Sequence, residues 1–400
     1  MVAMRKSVTV EIVRQVGYTD TACAPTDGWI GEPFGVSEQK ERGGCILTGT
    51  SKTSSWSRIV AVSLAFTAGA MAVAADAPVA LHVQTLTVPP STQPVMSVDV
   101  QNLTDATYEG TVTLVGPERW KISPASREMK LAANETCSIP FSIEQGRNVA
   151  SNQYSFEVTA TSTAGDVLHR QTTFVASAPY YKPTIDGRTD EWKDAIPVTF
   201  GTQGETTEIS TYWNRRRFSL LVAVQERKLV PYAGAESFAT PDAIQFAISP
   251  LKAEGDESAN QMAGRFEFLI LAAKDGTQCY QLASMDTPLD EVRKPRALES
   301  LISDGVDAVV RRDGDVTIYE CSFPFGPMRD EIRPMEGREF CMSVLVHDPD
   351  DTGIRDLGIA AGLRASPADG DAWCHWAGET SGETPPRGSR VRWGLCTSKY

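Results

Sequence analysis

Histidine is scarce here, four residues in 400, and no pair stands in the H-E-x-x-H spacing that would place a catalytic zinc on one helix face. Neither a glycine-rich phosphate loop nor a G-x-S-x-G elbow occurs, so the chain carries no local signature of nucleotide or acyl-transfer chemistry. A Ser/His/Asp or Cys/His site assembles only in space and leaves no such spacing, and nothing in the sequence recommends one. Positive charge is also in deficit, 38 Lys and Arg against 51 Asp and Glu, a formal charge of −13. That balance excludes a nucleic-acid partner, because a grip on phosphate backbones needs clustered cations. No C-x-x-C pair occurs, which removes the usual zinc-ribbon and thiol-redox readings.

Strongly apolar runs of membrane-spanning length, about twenty residues, are missing as well. The nearest approach is Ser57 to Ala77, "SRIVAVSLAFTAGAMAVAADA", where Arg58 precedes an apolar run and small residues suit A-x-A cleavage at Ala72-Val73-Ala74 or Ala75-Asp76-Ala77. This pattern is that of a signal peptide at 58–77, so the protein is expected to be exported to the periplasm, cell surface or medium, with an uncleaved anchor as the competing reading. Residues 1–57 form a polar leader, and translation is expected to begin downstream of Met1, at a codon such as that of Leu47. Beyond the signal lie Cys137, Cys279, Cys321, Cys341, Cys374 and Cys396. An oxidising compartment allows disulfides among them, and small buried thiols fit equally well.

What is present is β-sequence. From 80 to 176 the stretches "VMSVDVQNLTD", "YEGTVTLVG", "SIPFSIEQG" and "QYSFEVTATST" alternate apolar and polar residues, broken at Asn102, Gly116-Pro117, Gly146 and Gly165. No helical period interrupts them, so an antiparallel sandwich is expected, of Ig-like type. "SAPYYKP" (177–183), with two prolines, breaks the alternation and reads as a linker. From 184 to 400 the chain is again mostly β. Phe218 to Val224 and Phe266 to Ala273 read as strands buried on both faces, and only Leu298 to Ile302 suggests a brief helix. The fold class is therefore all-β, two sandwich domains.

Paired carboxylates could perform glycoside hydrolysis, and Glu267, Glu320 and Asp242 stand on expected strands. Strand carboxylates more often face water or a basic partner, and the chain is read as non-catalytic. "HDPDDTGIRD" (347–356) gathers Asp348, Asp350 and Asp351 in one loop, an oxygen-rich set suited to structural calcium; a solvated acidic turn is the competing reading.

The 184–400 region resembles family 9 carbohydrate-binding modules and the related DOMON-like sandwiches. "IDGRTDEWKDA" looks like the family's entry motif, and "STYWNRRRFSLLVAVQE" is similar to its Trp-centred strand pair. "PDAIQFAIS", "VTIYECSFPFGPM", "FCMSVLVHDPD" and "VRWGLCTS" follow in the family's order. The resemblance implies a sandwich that holds an oligosaccharide or polysaccharide between aromatic faces while polar side chains fix the hydroxyls. Carried over by position, the first platform is Phe238 and the second is Trp373 or Trp376. Gln245 stands where binders carry an acid, and Glu267 stands near a basic position. Trp192 and Trp213 are expected in the core. The resemblance also implies service to a glycoside hydrolase or an envelope component. Two other readings stay open: an envelope or matrix protein whose sandwich has lost its ligand, and haem binding through Met or His ligands.

Overall fold

The alternation of the first half becomes two four-stranded antiparallel sheets in a computed structural model. It describes residues 77–397 except 164, 203, 235–239, 252–261, 293, 295, 364–372 and 374–388. Strands β1 (Val79–Val83), β2 (Val95–Asn102), β3 (Tyr108–Val115), β4 (Lys121–Ser123), β5 (Ser126–Leu131), β6 (Thr136–Gln145), β7 (Tyr154–Ser162) and β8 (Gly165–Thr173) pair in the orders β1-β2-β6-β4 and β5-β3-β7-β8. Every second residue of β2 (Met96, Val98, Val100) meets every second residue of β7 (Tyr154, Phe156, Val158, Ala160) in one core. The period-two pattern is thus the cause of this sandwich, since successive strand side chains leave opposite faces.

At the junction, neighbours in sequence serve different cores. Phe174 and Ala176 belong to the second core, while Val175 between them belongs to the first. Leu86 bridges to Val175, its N–H donating to the Phe174 carbonyl at 3.0 Å. Ser177–Ala178 form β9, fully buried and parallel to the last strand of the chain.

The second sandwich contains β10 (Val198–Thr202), β11 (Glu205–Trp213), β12 (Arg217–Gln225), β13 (Ala243–Ser249), β14 (Phe266–Ala273), β15 (Gly276–Ala283), β16 (Asp307–Asp313), β17 (Val316–Pro324), β18 (Glu339–Asp348), β19 (Gly353–Asp356) and β20 (Val391–Leu395). One sheet runs β10-β11-β12-β17-β16; the other runs β15-β14-β13-β18-β20-β9, with β19 added to β18. The expected helix at Leu298 to Ile302 is a single 3-10 turn, Leu298–Leu301. The protein is all-β, as its periodicity implies.

Between the sheets lie Phe218, Leu220, Val222 and Val224 of β12, Ile244, Phe246 and Ile248 of β13, and Phe266, Phe268 and Ile270 of β14. Phe246 sits at the centre, its ring 5.9 Å from that of Phe218, 6.3 Å from Phe268 and 4.7 Å from Phe323. Burial of each such ring contributes about 1.5–3 kcal/mol, which makes this cluster the main apolar support of the domain. Cys279 and Cys321 are among these core residues, and burial pushes the Cys279 thiol up to about 12.

The entry motif "IDGRTDEW" docks on the outside of the five-stranded sheet. Trp192 and Trp213 are both core residues, as expected. Trp192 stacks on Tyr212 at 4.9 Å and 24°. Gly187 takes φ 78, and an added Cβ would stand 3.1 Å from Val309 Cγ1, so the tight turn needs glycine.

Candidate functional site

Strand parity sorts the acids singled out from the sequence. On β14, Phe266, Phe268 and Ile270 point into the core, so Glu267 leaves by the outer face of the seven-stranded sheet. On β17, Tyr319, Cys321 and Phe323 point inward, so Glu320 leaves by the outer face of the opposite sheet. Two packed sheets about 10 Å apart therefore separate these carboxylates, which cannot flank one glycosidic bond. None of the three faces water: Glu267, Glu320 and Asp242 are all fully buried, and of the two outcomes expected for strand acids Glu267 shows the second, a basic partner in Arg265. Glu320 accepts from the N–H groups of Asp186 at 2.8 Å and Gly187 at 2.6 Å and from Trp192 Nε1 at 2.8 Å, so its role is to hold the entry turn.

Gln245 and Glu267 lie together on the outer face of the seven-stranded sheet. Gln245 Nε2 donates to Glu267 Oε1, and Arg265 Nε donates to Glu267 Oε2 at 2.7 Å. With its amide nitrogen so committed, Gln245 accepts through Oε1 from His347 Nε2 at 2.9 Å. Burial pushes His347 down to about 4, so its ring is neutral near pH 7 and carries the proton on Nε2. The result is a directed row, His347 to Gln245 to Glu267 to Arg265, across three neighbouring strands and the segment leading into β14. The row sits between apolar patches: Ala243, Leu269 and Leu271 pack under Leu289, Val292 and Leu298 on one side, while Ala247 and Leu345 pack under Trp373 on the other.

Beside Trp373 lies a small cleft of about 10 Å³, room for about one water molecule, lined among others by Ser249, Arg265, Ser343, Trp373 and Arg390. The Trp373 ring is 3% exposed, and its Nε1 has no acceptor among the described residues. Trp373 is therefore a wall of this cleft rather than an open platform. Phe238 and Trp376, the other aromatics expected at the site, lie outside the described residues. Arg265, Ser249, His347, Ser343 and Arg390 were not identified from the sequence. The first two share the outward parity of Glu267 and Gln245 on their own strands, and that is the signal that would have found them.

The acidic loop divides. Asp350 pairs with Lys228 at 2.6 Å and Asp351 with Arg227 at 2.8 Å; both cations are exposed, while the Asp351 carboxylate is itself nearly buried. Asp348 instead ends the inward row of β18 and is fully buried, its Oδ2 bonded to Arg355 Nη2 at 2.8 Å and Thr352 Oγ1 at 2.9 Å.

No protein-family model and no curated protein matches the sequence. Among solved structures, a family 9 carbohydrate-binding module from Caldicellulosiruptor kristjanssonii in complex with cellotriose aligns over 45% of this chain and 80% of its own, at 13% identity and TM-score 0.31. The glucose complex of a family 9 module from that organism aligns over 44% and 78%, at 13% and 0.30. The E. coli chaperone DraB aligns over 52% and 92%, at 13% and 0.20.

Proposed function

We propose that this chain is an exported, non-catalytic carbohydrate-binding protein whose ligand site is the outer face of the seven-stranded sheet around the Trp373 cleft. The observation that carries this reading is the meeting there of Trp373, Arg265, Arg390, Ser249 and Ser343 at the end of the Gln245–Glu267 row. A sugar asks for that mixture, since its C–H face packs on an aromatic wall and its hydroxyls need directed donors and acceptors. The cleft has room for about one water molecule, so the proposed contact is with the edge of a sugar at its mouth, one hydroxyl entering. The order of motifs from "IDGRTDEW" to "VRWGLCTS" supports the same reading. Phe238 and Trp376 are proposed as additional stacking rings, the first sandwich as an Ig-like spacer, and a glycoside hydrolase or envelope component as the partner served. Export rests on the signal pattern at 58–77.

One observation favours the alternative of an envelope or matrix protein that has lost its ligand. Gln245 and Glu267 are fully buried and already bonded to each other, to Arg265 and to His347. Affinity electrophoresis through gels containing soluble β-glucan, xylan or mannan, with a glycan array in parallel, separates the two. The binding reading expects retardation in at least one gel, abolished in Trp373→Ala while the melting curve stays cooperative. A wild type retarded by no glycan overturns it.

A further inference from the structure

The inward rows of three strands end in acids at the same end of the second sandwich. On β12 the row Phe218, Leu220, Val222, Val224 reaches Glu226 one step beyond the strand; on β13 the row Ile248, Phe246, Ile244 runs back to Asp242; on β18 the row Met342, Val344, Val346 ends in Asp348. Their exposures are 2%, 0% and 0%, so three carboxylates occupy the space that apolar side chains fill elsewhere between the sheets.

Each carboxylate has one oxygen held by the protein and one left bare. Glu226 Oε1 accepts from Arg312 Nη1 at 3.2 Å and from Thr317 Oγ1; Asp242 Oδ2 accepts from the Val230 N–H; Asp348 Oδ2 accepts from Thr352 and Arg355. The remaining oxygens, Glu226 Oε2, Asp242 Oδ1 and Asp348 Oδ1, have no hydrogen-bond partner among the described residues. Ligand oxygens of these three residues lie within 4.8 Å of one another. Two oxygens on opposite sides of a calcium ion stand about 4.6–5.2 Å apart, because calcium–oxygen distances are about 2.3–2.6 Å.

Tyr319 supplies an independent observation. It lies on the inward row of β17, is fully buried, and its hydroxyl has no partner among the described residues, yet it feels the charge of all three acids. With the three acids ionised, Arg312 and Arg355 bring two positive charges against three negative ones. A buried carboxylate without a counter-charge is costly, and a hard divalent ion with oxygen ligands removes that cost.

We propose that Glu226, Asp242 and Asp348 bind a structural calcium ion between the two sheets, with the Tyr319 hydroxyl beside it and Arg312, Thr317, Thr352 and Arg355 orienting the ligands. Orientation of each ligand's second oxygen by a protein donor is how outer-shell groups tune metal sites. The site differs from the acidic loop that follows Asp348, where Asp350 and Asp351 each have a cation of their own, Lys228 and Arg227.

The test is calorimetric titration of calcium chloride into EDTA-stripped full chain, with thermal melts at 0 and 1 mM calcium. One ion per chain is expected, with a higher melting temperature when loaded. Asp242→Asn should weaken binding at least tenfold, and Asp350→Asn should leave it unchanged. If Asp242→Asn does not fold, Glu226→Gln provides the same reading. A folded wild type that takes up no calcium at 1 mM overturns the proposal, as does a loss of binding in Asp350→Asn that Asp242→Asn and Glu226→Gln do not share.

Discussion

Glu320 is the side chain whose removal tests most directly how the second sandwich is closed. Its two oxygens accept from the N–H groups of Asp186 and Gly187 and from Trp192 Nε1, at 2.6–2.8 Å. Glu320→Ala leaves three donors without an acceptor, and each orphaned buried donor costs about 1–3 kcal/mol. Against this gross loss of roughly 3–9 kcal/mol stands the relief of a buried charge, because desolvation holds the Glu320 carboxyl above its ordinary range. The net expectation is about 3 kcal/mol of destabilisation, which lies in the upper range of single substitutions. Glu320→Gln keeps one acceptor and turns an NH₂ toward the other donors, so about 1–2 kcal/mol is expected. Trp192→Phe removes one donor and keeps the ring against Tyr212, which lies 4.9 Å away.

The assay is urea unfolding followed by far-UV circular dichroism, with the double variant Glu320→Ala/Trp192→Phe closing a cycle. Coupling of about 1 kcal/mol between the two sites is expected, since they share one hydrogen bond. A loss below about 1 kcal/mol for Glu320→Ala, or additivity in the cycle, refutes the idea that this carboxylate anchors the entry turn.

Asp356 caps the short helix Leu357–Ala360, accepting from Gly358 N at 2.7 Å and Ile359 N at 3.3 Å, and burial raises its carboxyl to about 7. Its folded-state value exceeds the unfolded one, so stability falls as pH rises from about 4 to 7; Asp356→Asn, an equally good cap, should gain on wild type by on the order of 3 kcal/mol across that window in pH-dependent urea melts. Phe246→Ala opens the centre of the aromatic cluster and should cost about 3–5 kcal/mol in the same assay. Cys137 is exposed while Cys279 and Cys321 are buried in the core, so a thiol reagent at pH 8 should label Cys137 in the native protein and the other two only in denaturant, read by peptide mass spectrometry. At Gly394 an added Cβ would stand 2.2 Å from the Thr87 carbonyl oxygen, so Gly394→Ala should force β20 away from the first sandwich and cost about 1–3 kcal/mol, with faster proteolysis near Thr87.

Fold class was legible because strand alternation is a local property. "VMSVDV" and "SFEVTA" carry their inward residues in plain view, and the unbroken apolar runs at 218–224 and 266–273 announce strands covered on both sides. The partners of Glu320 were not legible, because they come from residues 186, 187 and 192, far away in sequence. The acid cluster was half legible. Asp348 stood out within "HDPDD", yet its strand parity, continuing Met342, Val344 and Val346 inward, marks it as different from Asp350 and Asp351. Applied to "FSLLVAVQE" and "DAIQFAIS", the same count places Glu226 and Asp242 on inward rows.

The position of the candidate sugar site follows from how the outer face of the seven-stranded sheet is covered. A solvated face would show charged residues in every second position, but β13 and β14 bury both faces almost throughout. At one end the cover is apolar, with Leu289, Val292 and Leu298 lying on Leu269 and Leu271. The strand residues switch to Gln245, Glu267 and Ser343 where that cover stops and Trp373 begins. Polar groups buried at such a boundary must pair with one another or with something that enters. Gln245 and Glu267 do the first, whereas the buried N–H of Trp373, a residue of the cleft wall, finds no acceptor among the described residues. A donor of that kind is costly to a sheet that merely packs and useful to one that receives a hydroxyl, so the indole N–H is the atom on which the two functional readings part.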